Sequence, residues 1–103
     1  MVHVSSTFVN SNQPERTVIE EKCYEPKADP EEIINMIMKM NPQELETEQP
    51  KILAKMGFPN TYTFTKNMAE IVMSRRRGNM RLSILRPATI NACCREPFPG
   101  WLD

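Results

Sequence analysis

The sequence lacks the features of three broad classes of protein. Thirteen Lys plus Arg balance thirteen Asp plus Glu, so the formal net charge is zero, and no overall field draws the chain to nucleic acid or to an anionic membrane. Three cysteines, two of them adjacent, do not suit a secreted disulfide framework. No apolar run approaches the roughly 18 residues of a membrane span. We expect an intracellular protein with no targeting signal, no nucleic-acid partner and no membrane anchor in this chain.

Glycine and histidine are also scarce. Three Gly beside nine Pro in 103 residues predict many interruptions to regular structure. That length suits one small domain and excludes a two-domain enzyme. His3, Cys23, Cys93 and Cys94 lack the paired spacing of a zinc site. The sequence therefore predicts no metal.

Two short apolar stretches predict strands. Val2-His3-Val4, with Phe8-Val9, is rich in β-forming residues and breaks at the turn residues 10–14. Residues 81–86 predict a second strand that runs into Pro87. The apolar residues that would suit a buried parallel strand there are Leu82, Ile84 and Leu85.

Helix-start signals coincide just before residue 30. Asp29 can cap a helix, Pro30 suits its first position and Glu32 can complete a capping box. We therefore expect a helix from Pro30 to about Met40. Its apolar residues cover more than one face, which predicts packing on two sides or against a flexible partner surface. These residues are Ile33, Ile34, Met36, Ile37, Met38 and Met40.

Two more helices are predicted further along the chain. Asn41-Pro42 starts a weak helix that Pro50 interrupts, with residues 51–56 as its broken continuation. Residues 61–77 contain no Pro or Gly, and apolar residues recur there at spacings of three and four, which predicts an amphipathic helix that ends at Gly78.

The order of these elements predicts an α/β fold. A strand, a long loop with a helical insertion, a helix and a second strand make part of a βαβ arrangement. Two parallel strands cannot form a closed core alone. The chain is therefore expected to be an incomplete piece of a larger domain.

Tyr62 and Lys66 stand four residues apart on the best of these helices, so both side chains project from one face. A phenol with a pKa of about 10 is a poor acid–base group at neutral pH, but a neighbouring ammonium favours the phenolate and lowers that pKa. The pair could carry acid–base chemistry. On spacing alone, an ordinary exposed pair is the more common explanation.

Hydroxyl groups follow the first strand. Ser5, Ser6 and Thr7 lie where open α/β sheets place ligands, at the carboxyl end of a parallel strand. They could hold a carbonyl oxygen, or they could satisfy backbone groups of the turn. Together with the Tyr-Lys pair and Arg86-Pro87, they could surround one carbonyl and one dinucleotide.

Three stretches carry a family resemblance across almost the whole chain: His3-Val4-Ser5-Ser6-Thr7-Phe8-Val9-Asn10, Pro59-Asn60-Thr61-Tyr62-Thr63-Phe64-Thr65-Lys66 and Glu96-Pro97-Phe98-Pro99-Gly100-Trp101-Leu102-Asp103. In order and spacing they resemble successive signatures of alcohol-forming fatty acyl-CoA reductases, which are extended short-chain dehydrogenase/reductases. The resemblance implies part of a Rossmann-like NAD(P)-binding fold. Residues 1–103 would be the carboxyl-side part of the reductase domain, with a helical insertion at about 29–56 and the catalytic helix at about 61–77.

The resemblance also implies an activity. Such an oxidoreductase of lipid metabolism reduces a long-chain acyl-CoA with NADPH, through an aldehyde, to a fatty alcohol. Tyr62 would match the catalytic tyrosine and Lys66 the lysine that holds the nicotinamide ribose. Ser6 would orient the carbonyl, with Thr7 as the alternate. The residues that would line the nicotinamide after the second strand are Pro87, Ala88 and Thr89, although Asn91 stands where many relatives have Gly.

One family feature is absent from the sequence. The three glycines, Gly57, Gly78 and Gly100, form no G-x-x-G-x-x-G loop, which would bind the dinucleotide phosphates. We therefore expect an internal fragment, or a truncated product, of a longer reductase that holds NADPH poorly alone. Its acyl-binding carboxyl-terminal part, and any association with peroxisomal or endoplasmic-reticulum membranes, would depend on segments outside this sequence.

Other interpretations remain open. The chain could be a non-catalytic fragment whose Met-rich helix at residues 30–40 docks a partner. It could also have the same fold and act on another substrate, as carrier-protein thioester reductases and sugar-nucleotide epimerases of the extended superfamily do. The basic run Arg75-Arg76-Arg77 suits a solvated helix end, where cations complement the helix dipole, although a phosphate of NADPH or CoA could also bind there.

Overall fold

The chain folds into a strand, a short 3₁₀-helix, three α-helices and a second strand in the computed structural model, which describes residues 1–102. The elements are β1 (Val2–Val4), the 3₁₀-helix (Thr7–Asn10), α1 (Pro30–Ile37), α2 (Pro42–Met56), α3 (Thr61–Arg76) and β2 (Ser83–Leu85). Asp103, the last residue of the third signature, lies outside the described residues.

β1 and β2 form a parallel pair, which confirms the predicted βαβ arrangement. His3 pairs with Ile84 and Val4 with Leu85. Phe8 and Val9 are not part of the strand, contrary to the prediction, because the chain turns into the 3₁₀-helix after Ser6.

The predicted burial of β2 is wrong. Leu85 is 57% exposed, while Ile84 and Leu82 are half-buried. Burial alternates along both strands, so the described residues cover only one face of this two-stranded sheet. Val2 and Val4 are exposed on the same alternation.

α1 begins at Pro30 as predicted but ends at Ile37, before Met40. The expected capping box is absent: Asp29 makes no side-chain cap, because its carboxylate pairs with Arg75 of α3. Within the described residues α1 packs against α2 and α3, but only Pro30 and Ile33 are fully buried, so the predicted packing on two sides is observed only in part. The most exposed apolar residues of α1 are Ile34, Met36 and Met38.

α2 is a single helix rather than two pieces. Pro50 lies inside it on an exposed position, where its missing N–H removes one helical hydrogen bond without ending the helix. A complete capping box starts α2, with the Asn41 side chain accepting from the Glu44 N–H at 2.9 Å. Gly57 ends it in the left-handed conformation, at φ +79°.

The apolar core joins α1 and α2 directly to α3. The Phe58 and Phe64 rings lie 5.5 Å apart between centroids, in a tilted arrangement that favours aromatic pairs. The remaining buried members of this cluster are Ile33, Met56 and Met68. Packing against α3 therefore fixes the positions of α1 and α2.

The chain is more open than a self-contained domain. Its Cα radius of gyration is 16.3 Å, whereas a compact domain of this length has about 13 Å. Short parallel strands with one covered face and a helix between them fit an incomplete NAD(P)-binding fold. None of the described helices is both long and apolar enough to cross a membrane.

Candidate active site

The first turn of α3 presents Tyr62 and Lys66 together. Asn60 caps this helix, because its side-chain oxygen accepts the Thr63 N–H at 2.9 Å. Tyr62 is 54% exposed one residue into the helix. The Lys66 Nζ lies 5.9 Å from the centroid of the Tyr62 ring. The two side chains therefore share one face, as their spacing predicts.

Lys66 ties this face to the end of β1. Its Nζ donates a hydrogen bond of 3.0 Å to the Val4 carbonyl. An ammonium carries three N–H donors, so two remain for a ligand. The lysine is held against the strand and can still bind hydroxyl groups.

The hydroxyl cluster that follows β1 contains three different environments. Ser6 is buried, and its Oγ accepts the Phe8 N–H at 3.2 Å, which caps the 3₁₀-helix. Its hydroxyl proton is not used in that bond and can be donated to a carbonyl. Ser5 Oγ is buried and has no partner among the described residues. Thr7 is exposed.

The turn after β2 lies beside these hydroxyls. The Thr7 N–H donates to the Pro87 carbonyl at 3.0 Å, and the Ser5 N–H donates to the Leu85 carbonyl at 2.7 Å. Ala88 and Thr89 follow on the surface. One edge of the sheet therefore contains the ends of both strands, the three hydroxyl groups and Pro87.

A buried ion pair behind this site could not be recognised from local sequence. Arg86 binds Glu70 with two parallel bonds, Nε to Oε1 at 2.9 Å and Nη2 to Oε2 at 2.7 Å. Glu70 is only 1% exposed. The hydrogen bonds that Arg86 donates to the Glu70 carboxylate raise the pKa of Arg86. The only local signal is an acidic residue on the buried face of an amphipathic helix.

Arg86 also reaches the loop before α1. Its Nη2 donates to the Lys22 carbonyl at 2.8 Å. Cys23 lies next to this contact, and burial is the main factor that raises the pKa of its thiol. The Arg86 guanidinium therefore connects the end of β2 to the middle of α3 and to the loop before α1.

The basic run at the end of α3 is exposed, as predicted, and two of its guanidinium groups are ion-paired. Arg75 pairs with Asp29 and with Glu25, the latter at 2.7 Å. Arg76 binds the Glu31 carboxylate through two hydrogen bonds of 2.8 and 2.7 Å. These two guanidinium groups already have carboxylate partners, so they are not free for a cofactor phosphate.

The donors of this site suit one end of a dinucleotide. Lys66 has unused N–H groups for ribose hydroxyls, and the unpartnered Ser5 Oγ lies buried at the same strand end. The glycines offer no phosphate cradle, since Gly57 ends α2 and neither Gly78 nor Gly100 belongs to a helix start. The residues present fit a nicotinamide riboside, and the pyrophosphate needs groups from elsewhere.

Known proteins resemble this chain along its whole length. A family model of NAD-binding domains, described as "Male sterility protein", matches residues 1–103. Fatty acyl-CoA reductase 1 of Xenopus laevis is 37% identical over 102 residues, and fatty acyl-CoA reductase 2 of Mus musculus is 36% identical over 102 residues. Each alignment covers 99% of this chain and 19% of the relative. No solved structure matches the chain at a comparable level.

Proposed function

The chain belongs to the male sterility protein family of NAD-binding domains, and from this premise we propose that it carries the catalytic face of an alcohol-forming fatty acyl-CoA reductase. The longer protein reduces long-chain acyl-CoA with NADPH, through an aldehyde, to a primary alcohol and free CoA. The observation that supports the proposal is that Tyr62 and Lys66 lie on one face of α3, with Lys66 hydrogen-bonded to the end of β1.

The domain assignment follows from the same proposal. Residues 1–103 are the carboxyl-side part of a Rossmann-like domain of the extended short-chain dehydrogenase/reductase type. Residues 29–56, with α1 and α2, are the helical insertion, and residues 61–77 are the catalytic helix. The chain spans about a fifth of the length of its curated relatives (19%), so the phosphate-binding loop and any membrane contact are assigned to the rest of the protein.

Tyr62 is the proton donor in this mechanism. NADPH, when bound, supplies the hydride for each of the two reductions. As the carbonyl oxygen gains negative charge, the Tyr62 phenol donates its proton or a hydrogen bond to it, which stabilises the charge where it develops. The exposure of Tyr62 leaves its hydroxyl open to a substrate carbonyl.

Ser6 and Lys66 position the reactants around Tyr62. The Ser6 Oγ accepts the Phe8 N–H, so its own proton remains available for donation to the substrate carbonyl. Lys66 keeps two N–H donors for the ribose hydroxyls and places its positive charge beside the phenol. Pro87, Ala88 and Thr89 form the wall against the nicotinamide.

Substitution of Tyr62 tests the proposal in the full-length reductase. Tyr62→Phe removes the donated proton, so acyl-CoA-dependent oxidation of NADPH should fall by about 10²-fold or more, with NADPH binding retained. Tyr24→Phe is the matched control, because the other tyrosine accepts a backbone N–H within the 15–28 loop. Unchanged turnover in Tyr62→Phe would remove Tyr62 from the mechanism.

A second candidate function rests on the exposed face of α1. Met38 is 79% exposed and Met36 is 42% exposed, which would suit docking of a partner. In that case Tyr62→Phe leaves the activity intact, while deletion of residues 33–40 abolishes it. Assays with acyl-CoA, an acylated carrier protein and a nucleotide-sugar, run side by side, separate the reductase from other members of the extended superfamily.

A further inference from the structure

An apolar groove of about 440 Å³ lies between α1 and α3. Its walls are Ile34, Ile37 and Met38 on α1 and Ala69, Val72 and Met73 on α3. A neighbouring cavity of about 160 Å³ continues it toward Thr61 at the start of α3. None of the side chains that line the larger groove carries a charge. The groove therefore suits an apolar ligand.

The two helices run antiparallel, which fixes the direction of the groove. Glu31, near the start of α1, pairs with Arg76 at the end of α3, whereas Ile37 at the end of α1 lies with Phe64 near the start of α3. One end of the groove is therefore the end of α3 that carries Tyr62.

Tyr62 and the floor of the groove lie on one stripe of α3. Ala69 and Met73 follow Tyr62 by seven and eleven residues, spacings that return a helix to almost the same side. With a rise of about 1.5 Å per residue, Ala69 lies about 10 Å and Met73 about 16 Å along the axis from Tyr62. A chain that starts at the Tyr62 hydroxyl can run directly into the groove.

We propose that this groove binds the acyl chain of the substrate, so that residues of this chain contribute to selection of chain length. The inference rests on the proposed reductase function. Its own support is the stripe that joins Tyr62 to the groove and the uncharged lining. Met38 and Met73 add unbranched, flexible side chains that can adapt to a bound alkyl chain.

Under this proposal, the position of a residue along the groove determines which acyl-chain lengths it contacts. An extended backbone of three bonds per residue advances about 3.5 Å, or about 1.2 Å per bond. An octanoyl chain then extends about 8 Å from its carbonyl and stops before Ala69, while a stearoyl chain extends about 20 Å and passes Met73. A bulky residue at position 69 should block only the longer chain.

The test measures kcat/KM of the full-length reductase with octanoyl-CoA and stearoyl-CoA. Ala69→Phe should lower the value for stearoyl-CoA by about tenfold or more and leave octanoyl-CoA within about twofold. Val72→Phe, further from Tyr62, should spare dodecanoyl-CoA as well. Met36→Phe is the matched control, because Met36 lies on α1 outside this groove.

Ile34→Lys is a second test in case Ala69→Phe fails to fold. Ile34 is already 39% exposed, so lysine is tolerated there while its ammonium enters the groove, and selective loss of stearoyl-CoA reduction is again expected. Equal loss for both substrates, or no loss for either, would overturn the acyl-chain site. Absence of any acyl-CoA turnover in the unaltered protein would instead overturn the reductase proposal.

Discussion

Glu70 and Arg86 form a bidentate, largely buried ion pair that joins the middle of α3 to the end of β2. In the sequence, Glu70 lies eight positions after Tyr62, and Arg86 comes directly before Pro87. The pair therefore connects the helix of the candidate proton donor to the turn proposed to face the nicotinamide.

Glu70→Gln should destabilise the full-length protein by about 3 kcal/mol, because it leaves the Arg86 charge without its carboxylate. Glu31→Gln, which breaks the exposed bidentate pair between α1 and Arg76 of α3, should destabilise the protein much less, because exposed ion pairs contribute little to stability. Urea unfolding of both variants measures the difference. Equal losses in the free energy of unfolding would contradict a larger contribution from the buried pair.

Ser6→Ala should lower both stability and turnover. It removes the acceptor of the Phe8 N–H, at about 1 kcal/mol, and the proposed carbonyl donor. Ser5→Ala is the control in the adjacent position, because the Ser5 Oγ has no partner whose loss would cost stability. If Ser5→Ala impairs turnover more than Ser6→Ala does, the carbonyl-orienting role belongs to Ser5.

Asn60→Ala should loosen the first turn of α3, where Tyr62 lies. The side-chain oxygen that caps the Thr63 N–H is lost, at about 1 kcal/mol. Asn60→Asp keeps an acceptor at the same position and should retain stability and kcat. A full kcat in Asn60→Ala, measured with unfolding curves, would show that the cap does not influence the placement of Tyr62.

Cys23 should react with iodoacetamide more slowly than Cys94 at pH 7. Burial raises the pKa of the Cys23 thiol, which lowers its thiolate fraction, and only the thiolate is nucleophilic, while Cys94 is exposed. Because the folded pKa lies above the unfolded value, Cys23 should also lower stability as pH rises above the ordinary thiol range of about 8.5. Mass spectrometry of tryptic peptides over time distinguishes the two cysteines.

Local patterns predicted the elements that local interactions determine. α3 ends within one residue of its predicted end, and the parallel pairing of β1 with β2 follows from the βαβ order. The Tyr62–Lys66 face is a direct result of helical spacing. The helix and its Tyr62–Lys66 face depend on residues within a few positions of each other, whereas the strand pairing joins residues 81 positions apart and was predicted from the order of the elements.

Other features depend on partners far along the chain. Asp29 has the sequence of a helix cap, but Arg75, 46 residues away, binds its carboxylate. Pro50 predicted a break, yet the capped helix continues through it. The Glu70–Arg86 pair and the groove between α1 and α3 likewise need tertiary contacts, which no short pattern contains.

The ion pairs at the end of α3 give the two ends of the α1–α3 groove different sensitivities to ionic strength. Arg75 and Arg76 hold the amino end of α1 through exposed carboxylates, and added salt weakens such contacts. The opposite end is held by Phe64 and Ile37 in apolar packing, which salt does not screen. At high ionic strength the amino end of α1 should therefore loosen, while the residues near Tyr62 keep their geometry.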